Sequence, residues 1–68
     1  MKKRDDYIKE VRLLRAAIDA EIFLSRAHAA WQLHNSDENY DFMDACKQEV
    51  EKRWEAYNAE VWINRYAE

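Results

Sequence analysis

Glycine and proline are both missing from this 68-residue chain. Strand-rich folds need tight turns, and those turns lean on Gly and Pro. Their absence, with abundant Ala, Glu, Lys, Arg and Leu, favours helix almost throughout. Cysteine occurs once, at Cys46, which excludes an internal disulfide. A lone thiol within a helical pattern suits a reducing compartment, so a cytoplasmic protein is expected. Long apolar runs are missing as well. Hydrophobic residues make up 49% of the chain and charged residues 37%, a mixture too apolar for disorder and too interrupted for a membrane span. No membrane partner is expected. Met1, Lys2, Lys3 and Arg4 have the basic character that opens a signal peptide, but Asp5 and Asp6 follow at once with no apolar run behind them. This argues against a secretory leader.

A chain of this length forms one domain, taken as residues 1–68. Short chains bury little of their surface and need help from disulfides, a metal or self-association. The first is excluded, and no ligand cluster supports the second. Self-association remains.

One segment interrupts the helical pattern, His34-Asn35-Ser36-Asp37-Glu38-Asn39. Asn, Ser and Asp compete for backbone groups inside helices and are favoured at their ends. Asn35 suits the left-handed position that terminates a helix, and Ser36 or Asp37 suits a helix N-cap. The sequence thus predicts a helix over about residues 5–34, a turn over 35–38 and a helix over about 39–67. A link this short implies an antiparallel hairpin.

The second helix carries an apolar stripe of Met43, Cys46, Val50, Trp54, Tyr57 and Val61, spaced 3-4-4-3-4. The first helix carries two. One is Tyr7, Val11, Leu14, Ile18, Ile22, Ala29 and Leu33, with Ser25 as its polar interruption. The other is Leu13, Ala17, Ala20, Leu24, Ala27 and Trp31. Helical geometry sets the two stripes about 160° apart. One partner helix cannot cover both, so the first helix is expected to be sandwiched, and the hairpin is expected to dimerise into a four-helix bundle or to form a higher symmetric oligomer. Self-association is assigned to these two stripes, through Val11, Leu14, Ile18, Ile22, Leu13, Ala17, Ala20 and Leu24. The hairpin core is assigned to Met43, Cys46, Val50, Trp54, Tyr57 and Val61.

Facing residues of an antiparallel pair have a nearly constant sum of numbers. The Ala-rich stripe pairs Leu13 with Val61, Ala17 with Tyr57, Ala20 with Trp54 and Leu24 with Val50, each summing to 74. The other stripe pairs Val11 with Val61, Ile18 with Trp54 and Ile22 with Val50, each summing to 72. The second set buries the larger residues and is favoured here as the hairpin core.

Little in the sequence suggests chemistry. His28 and His34 are six apart and share no helix face, and the Glu-x-x-His pattern of helical di-metal sites is lacking. Cys46 has no activating neighbour and reads as a packing residue. Asp41, Asp44, Glu51 and Glu55 form a solvated flank, and a narrow hairpin has no cleft to split their proton affinities. Neither an enzyme nor a cofactor or metal is expected.

Charge divides unevenly. Residues 1–34 hold seven basic and five acidic side chains, and residues 35–68 hold four basic and nine acidic, which together give the net −3. An acidic protein is not a default nucleic-acid binder. Arg12, Arg15 and Arg26, with Asp19 among them, form the one strip suited to phosphate. Aromatics and Arg are enriched at interface hot spots, and Trp62 and Tyr66 fall outside the hairpin stripe. Trp62, Tyr66, Arg12, Arg15 and Arg26 are therefore the candidate partner-binding residues.

In architecture alone, such a hairpin is similar to the small plasmid copy-number protein whose helical hairpins dimerise into a four-helix bundle and bind paired RNA loops. No residue motif carries the likeness, so no RNA-contacting position transfers. The reading that results is a small non-enzymatic regulatory or adaptor protein that associates with itself and with another protein. An RNA- or DNA-binding bundle is the alternative. A second alternative is an accessory protein of a phage or mobile element that inhibits a host protein through the acidic strip Asp44, Glu51 and Glu55.

Overall fold

The computed structural model of the chain describes residues 4–66, the Asp6 side chain apart. Helix α1 spans Arg4–Leu33 and helix α2 spans Asp37–Tyr66, and the two pack against each other as an all-helical hairpin. Lys2 and Lys3, and the expected helix end at Ala67, lie outside the described residues. The hairpin is a narrow rod, 51 × 16 × 11 Å in its Cα extents.

The turn is built by side chains rather than by an unusual backbone. Ser36 is the N-cap of α2: its hydroxyl accepts from the Asn39 amide at 3.1 Å and its carbonyl accepts from the Tyr40 amide at 3.0 Å. Asp37 and Glu38 occupy the first turn, where their charge suits the helix dipole. The expectation that Asn35 ends α1 in a left-handed conformation is corrected, since no described residue has a positive φ. Asn39 does that work instead. Its side-chain amide reaches back from α2 and donates to the His34 carbonyl at 2.9 Å, with a longer 3.5 Å contact to the Ala30 carbonyl. One residue thus helps cap both helices, using its backbone for α2 and its side chain for α1. Asn39→Ala is expected to cost about 1–2 kcal/mol and Ser36→Ala about 1 kcal/mol, read from urea unfolding followed by circular dichroism. Wild-type stability in both variants would show that the turn is held by packing alone.

The helices meet through the Ala-rich stripe. Ala17 is 0%, Ala20 3% and Ala27 2% exposed. This corrects the preference for the Val11, Ile18 and Ile22 stripe as the hairpin core, because all three of those residues are exposed. The physical reason is close approach. Alanines let two backbones draw together, and the space beside them is filled by the larger half-buried Trp54, Tyr57 and Val61 of α2.

Polar bonds reinforce this register. Glu10, on the same face as the alanines, is buried and accepts a 2.9 Å hydrogen bond from the Asn64 side-chain amide, itself buried. Their numbers sum to 74, the same as the Ala-rich pairs. The Trp54 Nε1 donates to Glu21 Oε1 at 2.8 Å. Arg53 is held by Glu49 at 2.8 Å and donates through Nη1 to the Ala16 carbonyl at 3.0 Å, and Lys9 pairs with Glu60 at 3.4 Å. A slip of one residue would strand a buried carboxylate, so these bonds act against alternative registers as much as they stabilise this one.

Candidate interaction surfaces

With α2 seated on the alanines, the second stripe of α1 is left without cover. Val11 is 61%, Ile18 45% and Ile22 48% exposed, with Tyr7 at one end, also exposed, and Leu14 half-buried beside them. Val11, Leu14 and Ile18 line a shallow depression whose rim is Arg15 and Asp19. A second depression lies toward the start of α1, between Arg4, Tyr7, Ile8, Val11 and Arg12. Both are open and apolar at their base.

The residues assigned to self-association therefore separate into two groups. Val11, Leu14, Ile18 and Ile22 form the uncovered stripe. Ala17 and Ala20 are buried in the hairpin, and Leu13 and Leu24, on the same face, are half-buried. All six residues assigned to the hairpin core, Met43, Cys46, Val50, Trp54, Tyr57 and Val61, are half-buried.

Among the candidate partner-binding residues, Trp62 and Tyr66 are neighbours on the outer side of α2. Their ring centroids are 6.1 Å apart, and the side chains are 58% and 70% exposed. An i, i+4 pair of large rings on a polar helix surface presents a compact apolar anchor. Arg12, Arg15 and Arg26 are all exposed on α1, as is Asp19. The acidic strip Asp44, Glu51 and Glu55 is exposed on α2, with Asp44 accepting a 3.0 Å bond from Gln48.

On one side of the hairpin, Phe23 and Phe42, both exposed, flank a small cleft completed by Ala20, Cys46, Glu49 and Arg53. Cys46 is a half-buried free thiol there. The opposite side holds a wider open groove between Glu21, Leu24, Ser25 and His28 of α1 and Met43, Lys47 and Val50 of α2. His28 stands 6.3 Å from the Trp31 ring. Among the described residues, no group of three His, Cys, Asp or Glu side chains converges to hold a metal ion. No helix among them is long and apolar enough to cross a membrane.

The sequence reading missed the groups that join the helices: Glu10, Asn64, Arg53 and Asn39. Only the first pair left a signal, since Glu10 and Asn64 fall at facing positions of the 74 register. Neither a protein-family model, nor a curated protein, nor a solved structure matches the chain.

Proposed function

We propose that this chain is a small, non-enzymatic regulatory or adaptor protein of the cytoplasm, which works as a homodimeric helical bundle and binds another protein. The observation that carries the reading is uncovered surface. The chain exposes 5653 Å², whereas a compact monomer of 8.3 kDa exposes about 4,600 Å². The excess, about 1,000 Å², is close to the roughly 800 Å² that each partner loses in a standard interface. The uncovered stripe of α1 supplies apolar surface suited to that purpose, and a second copy seated on it would cover it. Trp62 and Tyr66 project from α2, a different helix, and so stay free for a second partner. Their rings, beside the acidic strip, suit a protein surface with an apolar pocket and basic surroundings.

Sedimentation at micromolar concentration is expected to show a dimer, and a concentration-independent monomer would overturn the reading. Partner choice is tested by capture from a native lysate, with and without nuclease. A Trp62→Ala, Tyr66→Ala variant is expected to lose the native partner, whereas an Arg12→Ala, Arg15→Ala, Arg26→Ala variant that still forms folded dimers is expected to keep it after nuclease treatment. The reverse result, with binding that falls steeply in salt, would make nucleic acid the target.

A further inference from the structure

We infer that the second copy lies antiparallel on α1, α1 against α1′, about a two-fold axis beside Ile18, giving a row of helices in the order α2–α1–α1′–α2′. This rests on the dimer reading above and specifies its geometry. It differs from a square bundle, in which both helices of each hairpin face the other hairpin.

The first argument is direction. The uncovered stripe points well over a right angle away from the alanines that meet α2. A partner seated on that stripe therefore touches α1 and sits far from α2. The central helix is then covered on two sides, by α2 and by α1′.

The second argument is self-complementarity, which a two-fold interface requires of its own surface. An axis beside Ile18 brings that residue against its copy, Leu14 against Ile22, Val11 against Ser25 and Tyr7 against Ala29. Large side chains meet smaller ones toward the ends, where Tyr7 needs the room that Ala29 provides.

The third argument is charge. A two-fold axis perpendicular to both helices keeps each edge of the stripe against the same edge of the other copy. An edge of one sign would repel itself. This edge carries Arg12, Arg15, Asp19 and Arg26, of which Arg15 and Asp19 line the same depression as Val11, Leu14 and Ile18, so two copies need the opposite-sign pair Arg15–Asp19 to offset the excess of arginine. Among the described residues neither Arg15 nor Asp19 makes an ion pair within the chain. The proposed axis sets Arg15 of one copy within two residues, about 3 Å of helical rise, of the position facing Asp19 of the other. The long arginine side chain spans that offset, and symmetry makes the pair twice.

The test is a charge exchange read by the dimer dissociation constant at low salt. Arg15→Asp and Asp19→Arg are each expected to weaken association about tenfold or more, because each change puts like charges together twice. The double variant R15D/D19R is expected to return to within about threefold of wild type. Cross-linking supplies an independent readout in a Cys46→Ala background. Ile18→Cys is expected to oxidise readily to a covalent dimer, and Glu51→Cys, on the outer strip of α2, is expected not to. A wild-type dimer whose double variant is no better than the single ones, or which cross-links through position 51 and not 18, would overturn this arrangement while leaving the dimer intact. A wild-type monomer would overturn the dimer reading itself.

Discussion

Trp54→Ala is expected to remove about 2–4 kcal/mol of stability, a large part of what a chain of 68 residues possesses. Trp54 sits mid-way along α2 in the helix interface. Its indole nitrogen is anchored on Glu21 and its ring meets the Tyr57 ring edge-on at 5.7 Å between centroids. The side chain is half-buried, so the cost falls somewhat short of that for a fully enclosed tryptophan. Among the described residues no large side chain is fully buried, so the partly buried Trp54 carries a large share of the packing between the helices. Trp62→Ala is the natural comparison. That ring is exposed and touches its neighbour Tyr66, and its loss is expected to cost under about 1 kcal/mol in folding. Chemical denaturation of both variants, followed by circular dichroism, separates the two. Equal and small losses would mean that α2 turns a different face to α1 than the one described.

The helical hairpin was legible from composition and periodicity, because those signals arise within one helix and need no knowledge of its neighbours. The two stripes of α1 and the single main stripe of α2 appear where spacing placed them. The choice between the two stripes of α1 was not legible. Residue size favoured Val11, Ile18 and Ile22, since burying large side chains removes more apolar surface from water. Backbone approach favoured Ala17, Ala20 and Ala27, and approach prevailed because Trp54, Tyr57 and Val61 of α2 bring their own bulk. A single-helix pattern reports how much each face would gain by burial, but not which face is the right depth for the partner's side chains. The turn shows the same limit on a smaller scale. Residue type narrowed the cap to Ser36 or Asp37, and the structure has Ser36, whereas the role of Asn39 at the end of α1 depends on a fold-back that only three dimensions reveal. The candidate interaction surfaces follow this logic too: the aromatic pair Trp62 and Tyr66 stood out as large rings off the main stripe, and the free stripe of α1 became definite only when the alanines were seen to be occupied.

The double change Val11→Asp, Ile18→Asp is expected to abolish self-association and, with it, much of the stability of the fold. Burying each of these side chains contributes on the order of 1.5–3 kcal/mol, and a two-fold interface counts each one twice. Their replacement by carboxylates removes that gain and adds charge next to Asp19. Dissociation at least about a thousandfold easier is expected, equivalent to roughly 4 kcal/mol of binding free energy. The consequence for folding comes from the thinness of the hairpin core. Among the described residues, the side chains that are nearly fully enclosed within one copy are the alanines Ala17, Ala20 and Ala27 and the polar pair Glu10 and Asn64. Alanines contribute little apolar area, and the polar pair serves register more than stability. On the proposed dimer, a chain held together in this way would draw its stability from mass action with its partner copy, so the melting temperature of the wild type is expected to rise with protein concentration. The variant should melt at a lower temperature that is independent of concentration. Thermal melts across a hundredfold range of concentration, beside sedimentation of the same samples, distinguish the outcomes. A variant that remains dimeric at micromolar concentration, or a wild type whose melting temperature does not move, would show that the Val11 and Ile18 face is not where two copies meet.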